Sequence, residues 1–249
     1  MLRLRTLLAL PFVGLILLPS LLIGAVSLYT GVRAADHLSR QLVTDISSRI
    51  ERLTVYQLQE ASMLLSTAFP SLRQPDPTVL RAQADIEVLA ERLFATLLSS
   101  RTASYIYFAR SDGAFVGVDR SNPSPDAPAI QRVQRDPTRP RTVYALDPSG
   151  QRLRLIETES RLFRAPERPW FVAALDRGRL SWTPVYRSFA SGQMVTTASL
   201  PVRDGEGHLL GIAAADIVLS ELSDFMRGLR VSANGVAFIV DGTGRLVAQ

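Results

Sequence analysis

A guanidinium and an indole stand two residues apart in "RAPERPWFVAALDRG" (164–178), where Arg168, Pro169 and Trp170 open an alanine-rich helical turn. Arginine's planar fork matches a carboxylate and grips it through two parallel hydrogen bonds. An indole adds one N–H donor and an apolar wall. Proline suits the first position of a helix, and backbone N–H groups at a helix start favour an anion. An ammonium group needs the complement, a carboxylate and an aromatic face. Asp216, at the end of an apolar strand, and Tyr186, in the strand after the helix, supply both types. Together these residues suit a small anionic or zwitterionic molecule.

Each of them also has an ordinary structural reading. Arg168 would pair with Glu167 or Asp176 on the surface, and Trp170 would fill the core. Tyr186 would be a plain strand aromatic, and Asp216 would cap a helix that starts near residue 217. Tyr107 is expected to face the cleft, while Tyr105, Phe108 and Trp182 are expected in the core. Thr196, Thr197 and Ser199 are further candidates for the lining.

Catalytic chemistry has little to work with. Cysteine is absent, which removes disulfides, thiolate metal sites and cysteine nucleophiles. His37 and His208 are far apart, and no G-x-S-x-G occurs. Neither an enzyme, a metal nor a cofactor is expected. All 28 basic residues are arginine and the net charge is +5, but the arginines are scattered among acids rather than gathered in runs. A nucleic-acid partner is therefore not expected. "DGEG" and "DGTG" read as turns, since neither opens a helix after a strand as a phosphate loop must.

The elements that position these residues follow from patterning. Residues 7–32 hold no charge and make a helix of about 39 Å, enough for a hydrocarbon core of about 30 Å. A cleaved leader is the alternative, but its apolar region is usually about 7–15 residues, and Arg33 spoils the one tempting site after Ala35. Arg3 and Arg5 precede the span, so residues 1–6 are expected in the cytoplasm and 33–249 outside it. No second apolar run long enough to cross back follows. The chain therefore reads as a single-pass protein or the front of a longer one.

Leu38, Leu42, Ile46, Ile50, Leu53, Leu64 and Ala68 recur at helical spacing along 34–69. Such a stripe pairs with a second copy of itself or packs on its own domain. "PSLRQPDP" breaks this helix, and a second is expected at about 78–99, with Ile86, Leu89, Ala90, Leu93, Phe94 and Leu97 on one face. Strands then take over: a hairpin at 104–120, a five-proline loop or lid at 121–140, and a hairpin of "TVYAL" and "RLRLIE" around "DPSG". After the Arg-Pro-Trp helix, strands at 182–189, 193–202 and 208–217 are expected to make an antiparallel meander, followed by an amphipathic helix at 219–230. The closing "GVAFIVDGTGRLVA" repeats the earlier "YIYFARSDGAFVGV", which implies the opening of a second module.

Four segments in this order resemble the double-Cache (dCache) extracytoplasmic sensor domain of bacterial transmembrane signalling proteins. They are "YIYFARSDGAFVGVDR", "RPWFVAALDRGRLSWTPVY", "TTASLPVRDGEGHLLGIAAADIVLSEL" and "GVAFIVDGTGRLVA", and the resemblance spans 33–249. That family serves histidine kinases, chemoreceptors, and diguanylate and nucleotide cyclases. The resemblance implies an α+β fold, with two PAS-like antiparallel-sheet modules stacked along a long helix and ligand in the membrane-distal one. Here it implies a stalk at 33–99, a distal module at 100–218, and a connecting helix with the start of a proximal module at 219–249.

The family's amino-acid-binding pattern runs tyrosine, R-x-W, tyrosine, aspartate. Arg168, Trp170, Tyr186 and Asp216 are similar to it in order and spacing, while Phe163 stands where the first tyrosine belongs. The ring is kept and a hydroxyl is lost, a hydrogen bond worth about 0.5–1.5 kcal/mol. The resemblance thus implies a sensing module for an amino acid or related amine or carboxylate, held in the bacterial inner membrane and homodimeric through its stalk. The rival expectation is a ligand-free dCache module that serves dimerisation or a periplasmic partner.

Overall fold

The computed structural model describes residues 4–69, 86–121, 130–135, 140–159, 163–220, 223, 238–240, 244 and 246–248. The chain divides into two compact units, Met1–Glu51 and Arg52–Gln249. The first is helix throughout its described part: helix α1 covers Leu4–Ala68 and runs through Pro11 and Pro19. Between Leu15 and Val32 its described side chains are exposed. The hydroxyls of Ser20 and Thr30 donate to the carbonyls of Ile16 and Val26, so these two polar groups of the apolar stretch are satisfied internally. At its far end the Arg33 guanidinium lies 4.4 Å over the Tyr29 ring.

The second unit contains the last turns of α1, a helix α2 (Ile86–Ser99) and a large antiparallel sheet. Its strands are β1 (Tyr105–Ala109), β2 (Phe115–Asp119), β3 (Gln131–Arg135), β4 (Arg141–Leu146), β5 (Arg152–Glu159), β6 (Ser181–Trp182), β7 (Tyr186–Arg187), β8 (Met194–Arg203) and β9 (Leu209–Val218). They order as β5-β4-β3-β2-β1-β9-β8-β6, with β7 also on β8. Helix α3 (Pro169–Arg177) joins β5 to β6. Strands β10 (Ile239–Val240) and β11 (Leu246–Ala248) pair separately.

Two expectations are corrected here. The meander expected over 182–217 forms, with β6 and β7 on β8 and β8 on β9; β9 then pairs with β1, which becomes a central strand with neighbours on both sides. The proline-rich stretch is not all loop, because β3 lies within it and pairs with β2 and β4. Its prolines flank the strand instead of interrupting it. Arg132, charged yet buried, is tolerated there because Glu87 of α2 grips it through two hydrogen bonds of 2.6 and 3.0 Å. Finally, 182–189 is not one strand. Pro184 offers no N–H to a ladder, and β6 and β7 are separate short pairings to β8.

Period-two alternation divides the core between the two sheet faces. Ile106 and Phe108 of β1, with Ala213, Ala215 and Ile217 of β9, face α2 and the end of α1. The α2 residues Leu89, Ala90, Leu93, Phe94 and Leu97 meet them as expected. The α1 stripe splits: Leu64, Leu65 and Ala68 are buried in this core, while Leu38 and Leu42 are 62 % and 54 % exposed. On the opposite face, Tyr105 and Tyr107 of β1 and Ile212 and Ala214 of β9 pack with Trp170, Phe171 and Ala174 of α3. Residues 78–85, 122–129 and 136–139, and most of the helix expected at 219–230, lie outside the described residues.

Candidate functional site

Strand register builds one row of side chains across the α3 face. Asp119 of β2 lies opposite Tyr105 of β1, Tyr105 opposite Asp216 of β9, and Asp216 opposite Thr197 of β8. One step along, Tyr107 lies between Gly117 and Ala214, two residues small enough to leave room for its ring. A Cβ at Gly117 would stand 2.6 Å from the Tyr105 ring and 2.7 Å from Tyr107 Cβ.

Asp216 is 4 % exposed and sits within β9, not at a helix start, so the capping reading is corrected. Its Oδ1 accepts from the Tyr107 hydroxyl at 2.9 Å and from Thr197 Oγ1 at 2.7 Å. Tyr186 reaches the same Thr197 hydroxyl at 2.8 Å. The single Thr197 proton goes to the carboxylate, so Tyr186 must be the donor in that pair. Oδ2 makes no hydrogen bond among the described residues, and Asp216 lines a pocket. Burial pushes the carboxyl up to about 7, against the pull of the Thr197 and Tyr107 hydrogen bonds; Asp119 pushes the same way as burial, and Arg168 opposes it. Burial, followed by the Asp216 charge, also raises the Tyr107 and Tyr186 hydroxyls, which keeps them donors.

Helix α3 brings the arginine to this carboxylate. Arg168 is the N-cap, with the extended backbone that a following proline imposes, and Pro169 is the first helical residue. Gly178, at φ 62°, closes the helix. Trp170, Phe171 and Ala174 fall on the sheet-facing side, and Trp170 meets Tyr107 edge-on at 4.9 Å. The Arg168 guanidinium lies 5.5 Å from the centre of the Phe189 ring and has no carboxylate within 4 Å among the described residues. The surface pair suggested for it is not formed: Glu167 binds Arg164 at 3.0 Å instead.

These side chains line one pocket. Arg168, Trp170, Tyr186, Asp216, Tyr107 and Phe163 all reach it. Phe163 is buried and packs on Phe115 at 5.2 Å and on Phe189 at 5.1 Å. Thr197 stands one layer behind and acts through Asp216. Thr196 and Ser199 are not in the lining: they donate to the carbonyls of Thr183 and Ser181. Trp182 packs on the helical face, as its core assignment requires.

Tyr105 is buried in the core as expected, and it also lines the pocket, on the face opposite Phe108. The two are three apart on a strand and must point to opposite faces. Parity with Tyr107 was the available signal. The lining residues missed in the sequence are Arg141, Phe115, Ser188, Phe189 and Ala190. Arg141 shares the parity of the inward Val143 on β4. Away from the pocket, Asp204, Glu206 and His208 gather on the β8–β9 turn. There Asp204 Oδ1 is occupied by the N–H groups of the other two, as in a turn.

Comparison with known proteins agrees with this architecture. The Cache domain family dCache_1 matches residues 32–249. Methyl-accepting chemotaxis protein McpC of Bacillus subtilis is 33 % identical over 83 residues, 33 % of this chain and 12 % of that protein. McpA of Pseudomonas putida is 30 % identical over 83 residues, 33 % of this chain and 13 % of that protein. The matched segment is thus about an eighth of these relatives' length. The ligand-binding domain of the Campylobacter jejuni chemoreceptor Tlp3, solved with 4-methylisoleucine, is similar with a TM-score of 0.54 at 16 % identity, over 84 % of this chain and 66 % of that one. The ligand-binding domain of the Pseudomonas aeruginosa chemoreceptor PctC, solved with GABA, gives 0.51 at 22 % identity, over 86 % and 75 %. An antiparallel sheet flanked by helices, matched along 32–249, makes this chain a member of the double-Cache sensor family.

Proposed function

We propose that residues 33–249 are the extracytoplasmic input domain of a membrane-anchored signalling protein, and that the α3 pocket binds an amino-acid-like ligand. Arg168 takes the ligand carboxylate, with the Trp170 indole N–H beside it. Asp216 Oδ2 takes the ammonium, against the rings of Tyr107 and Tyr186. Phe163 supplies an apolar wall. The observation that carries this reading is the meeting of Arg168 and Asp216 in one pocket, with one Asp216 oxygen making no hydrogen bond among the described residues. The ligands named for the Tlp3 and PctC structures, 4-methylisoleucine and GABA, are of the same chemical class.

The domain order supports a route outward. Residues 100–218 are the membrane-distal module, 219–249 lead into the proximal one, and the charge-free helix at 7–32 anchors the whole in the inner membrane. Strand β1 carries the pocket tyrosines on one face and Phe108, stacked on Phe69 at 5.6 Å, on the other. The Glu60 carboxylate of α1 accepts from Ser100 Oγ, the Arg101 N–H and Thr102 Oγ1, just before β1 begins. A ligand that prefers one position of β1 therefore biases α1, to the extent of its differential affinity for the two states. Pairing of two stalks through the exposed stripe at 38–42 carries the displacement to the membrane.

Thermal-shift screening of the chain against amino acids, amines and carboxylates tests the reading. At least one amino acid is expected to raise the unfolding temperature saturably, and Arg168→Ala to abolish the rise. A flat response to every compound would instead support a ligand-free module for dimerisation or a periplasmic partner.

A further inference from the structure

Asp119 is a buried carboxyl to which the pairing above gives no role. It ends β2, is 3 % exposed, and is not part of the pocket lining. Register nevertheless puts it in the row that contains Asp216: Asp119 lies opposite Tyr105, and Tyr105 opposite Asp216. Two cross-strand steps of about 4.5–5.5 Å separate the aspartates, so their backbones are about 10 Å apart. Tyr105, itself buried, stands between them.

Each carboxyl has its own surroundings. Around Asp119 stand Tyr105 of β1, Gln131 of β3 and Arg141 of β4. Its Oδ1 accepts from the Ser121 N–H at 2.7 Å and from the Ser121 hydroxyl at 2.6 Å. Burial pushes this carboxyl up, while the Ser121 hydrogen bonds and the Arg141 charge pull it down. Around Asp216 stand Tyr105 and Tyr107 of β1, Tyr186 of β7, Thr197 of β8 and Arg168 of α3. Burial raises all three tyrosine hydroxyls, which stay neutral, so the groups here that change charge near neutrality are the carboxyls. Two buried negative charges in one row repel each other, and salt screens them weakly. Asp119 keeps its charge with the help of Ser121 and Arg141, and its charge holds back the ionisation of Asp216.

Resting on the site reading above, we propose that Asp119 is a positioning residue that acts by charge: without touching the ligand, it sets how acid the surroundings must be before a proton displaces the ligand ammonium from Asp216. Proton and ammonium compete for one carboxylate, so the module reads amino acid and acidity together. Neither end of a free amino acid titrates between about pH 5 and about 7, so competition in that window belongs to the protein. At an effective dielectric of about 20, a charge about 10 Å away moves a carboxyl by about one pH unit.

Calorimetric titration of the whole chain in detergent micelles with the standard L-amino acids identifies the tightest binder. Its affinity is then followed from about pH 5 to about 8 in the native chain and in Asp119→Asn. Native affinity is expected to rise with pH and level off near 7. In Asp119→Asn the plateau should begin about one pH unit lower. At about pH 5.5 the variant should therefore bind about tenfold more tightly than the native chain, and at about pH 8 within about threefold of it. A merely structural Asp119 would instead weaken binding at every pH. A plateau that stays in place, or affinity lost equally across the range, overturns the proposal and leaves the site reading standing. If Asp119→Asn fails to fold, Ser121→Ala removes a hydrogen bond that favours the charged carboxyl and should move the plateau the same way by a smaller step. An unmoved plateau there overturns the proposal equally. No binding of any amino acid, or binding that Arg168→Ala leaves intact, sinks the site reading itself and this proposal with it.

Discussion

At the scale of single residues, Asp216 is the group with most at stake. Tyr105 and Tyr107 of β1, Tyr186 of β7, Thr197 of β8, Asp119 of β2 and Arg168 of α3 surround it, and the balance leaves its carboxyl near 7. An unfolded aspartate titrates near about 3.9, so the folded value is raised. The stability this group contributes is then complete below about pH 4 and is lost as pH rises through about 7. Asp216→Asn keeps an oxygen for Tyr107 and Thr197 while removing the buried charge. Urea unfolding at about pH 8 should show it more stable than the native chain by about 1–4 kcal/mol, with ligand binding lost. A ligand ammonium at Oδ2 pulls the carboxyl back down, so binding below pH 7 expels a proton. Affinity should rise by up to about tenfold per pH unit up to about 7 and then level off, with a binding heat that varies with the buffer's ionisation heat. Affinity that falls with rising pH would place a neutral Asp216 against an anionic group.

At the scale of elements, β1 lies between the pocket and the end of α1. Its alternation was legible in "SYIYFA", yet the pocket tyrosines depend on a partner strand that local sequence does not announce. Gly117 of β2 is where both rings need space. Gly117→Ala should destabilise the fold by about 1–3 kcal/mol and weaken binding, read by urea unfolding and titration on one sample. Native-like binding would mean that the tyrosines do not shape the site. On the far side, burial pushes the Glu60 carboxyl up, but the Arg101 N–H and the Thr102 and Ser100 hydroxyls outweigh it and hold the group below its ordinary value. Glu60→Ala removes these three hydrogen bonds and should cost about 1–2 kcal/mol in thermal unfolding. It should change the ligand Kd little, because Glu60 does not line the pocket.

At the scale of the whole molecule, what could be read in advance follows the range of the interaction. The apolar span, the face of α2, the hairpins and the Arg-Pro-Trp helix are written in spacings of a few residues, and each stands where expected. The return of β9 to β1 and the insertion of β3 are long-range pairings. The second is masked by the charge of Arg132, which Glu87 makes tolerable. The site follows the same division: motif positions on α3 and β9 were visible, whereas Arg141 and Phe189 reach the pocket only through tertiary packing. The absence of cysteine makes the topology testable. Glu206→Cys, on an exposed turn, should react with a membrane-impermeant maleimide in intact cells, and Leu42→Cys should form a disulfide-linked dimer under oxidation. Labelling only after lysis would reverse the orientation.

What remains is whether one guanidinium and one carboxylate grip the two ends of a single molecule. Titrating the chain with its best amino acid, then with that compound's decarboxylated amine and its deaminated acid, asks this directly. Both one-ended analogues should bind at least about a hundredfold more weakly, and Arg168→Ala should bind the amino acid and the amine alike. An analogue that binds the native chain as tightly as the amino acid would contradict the account.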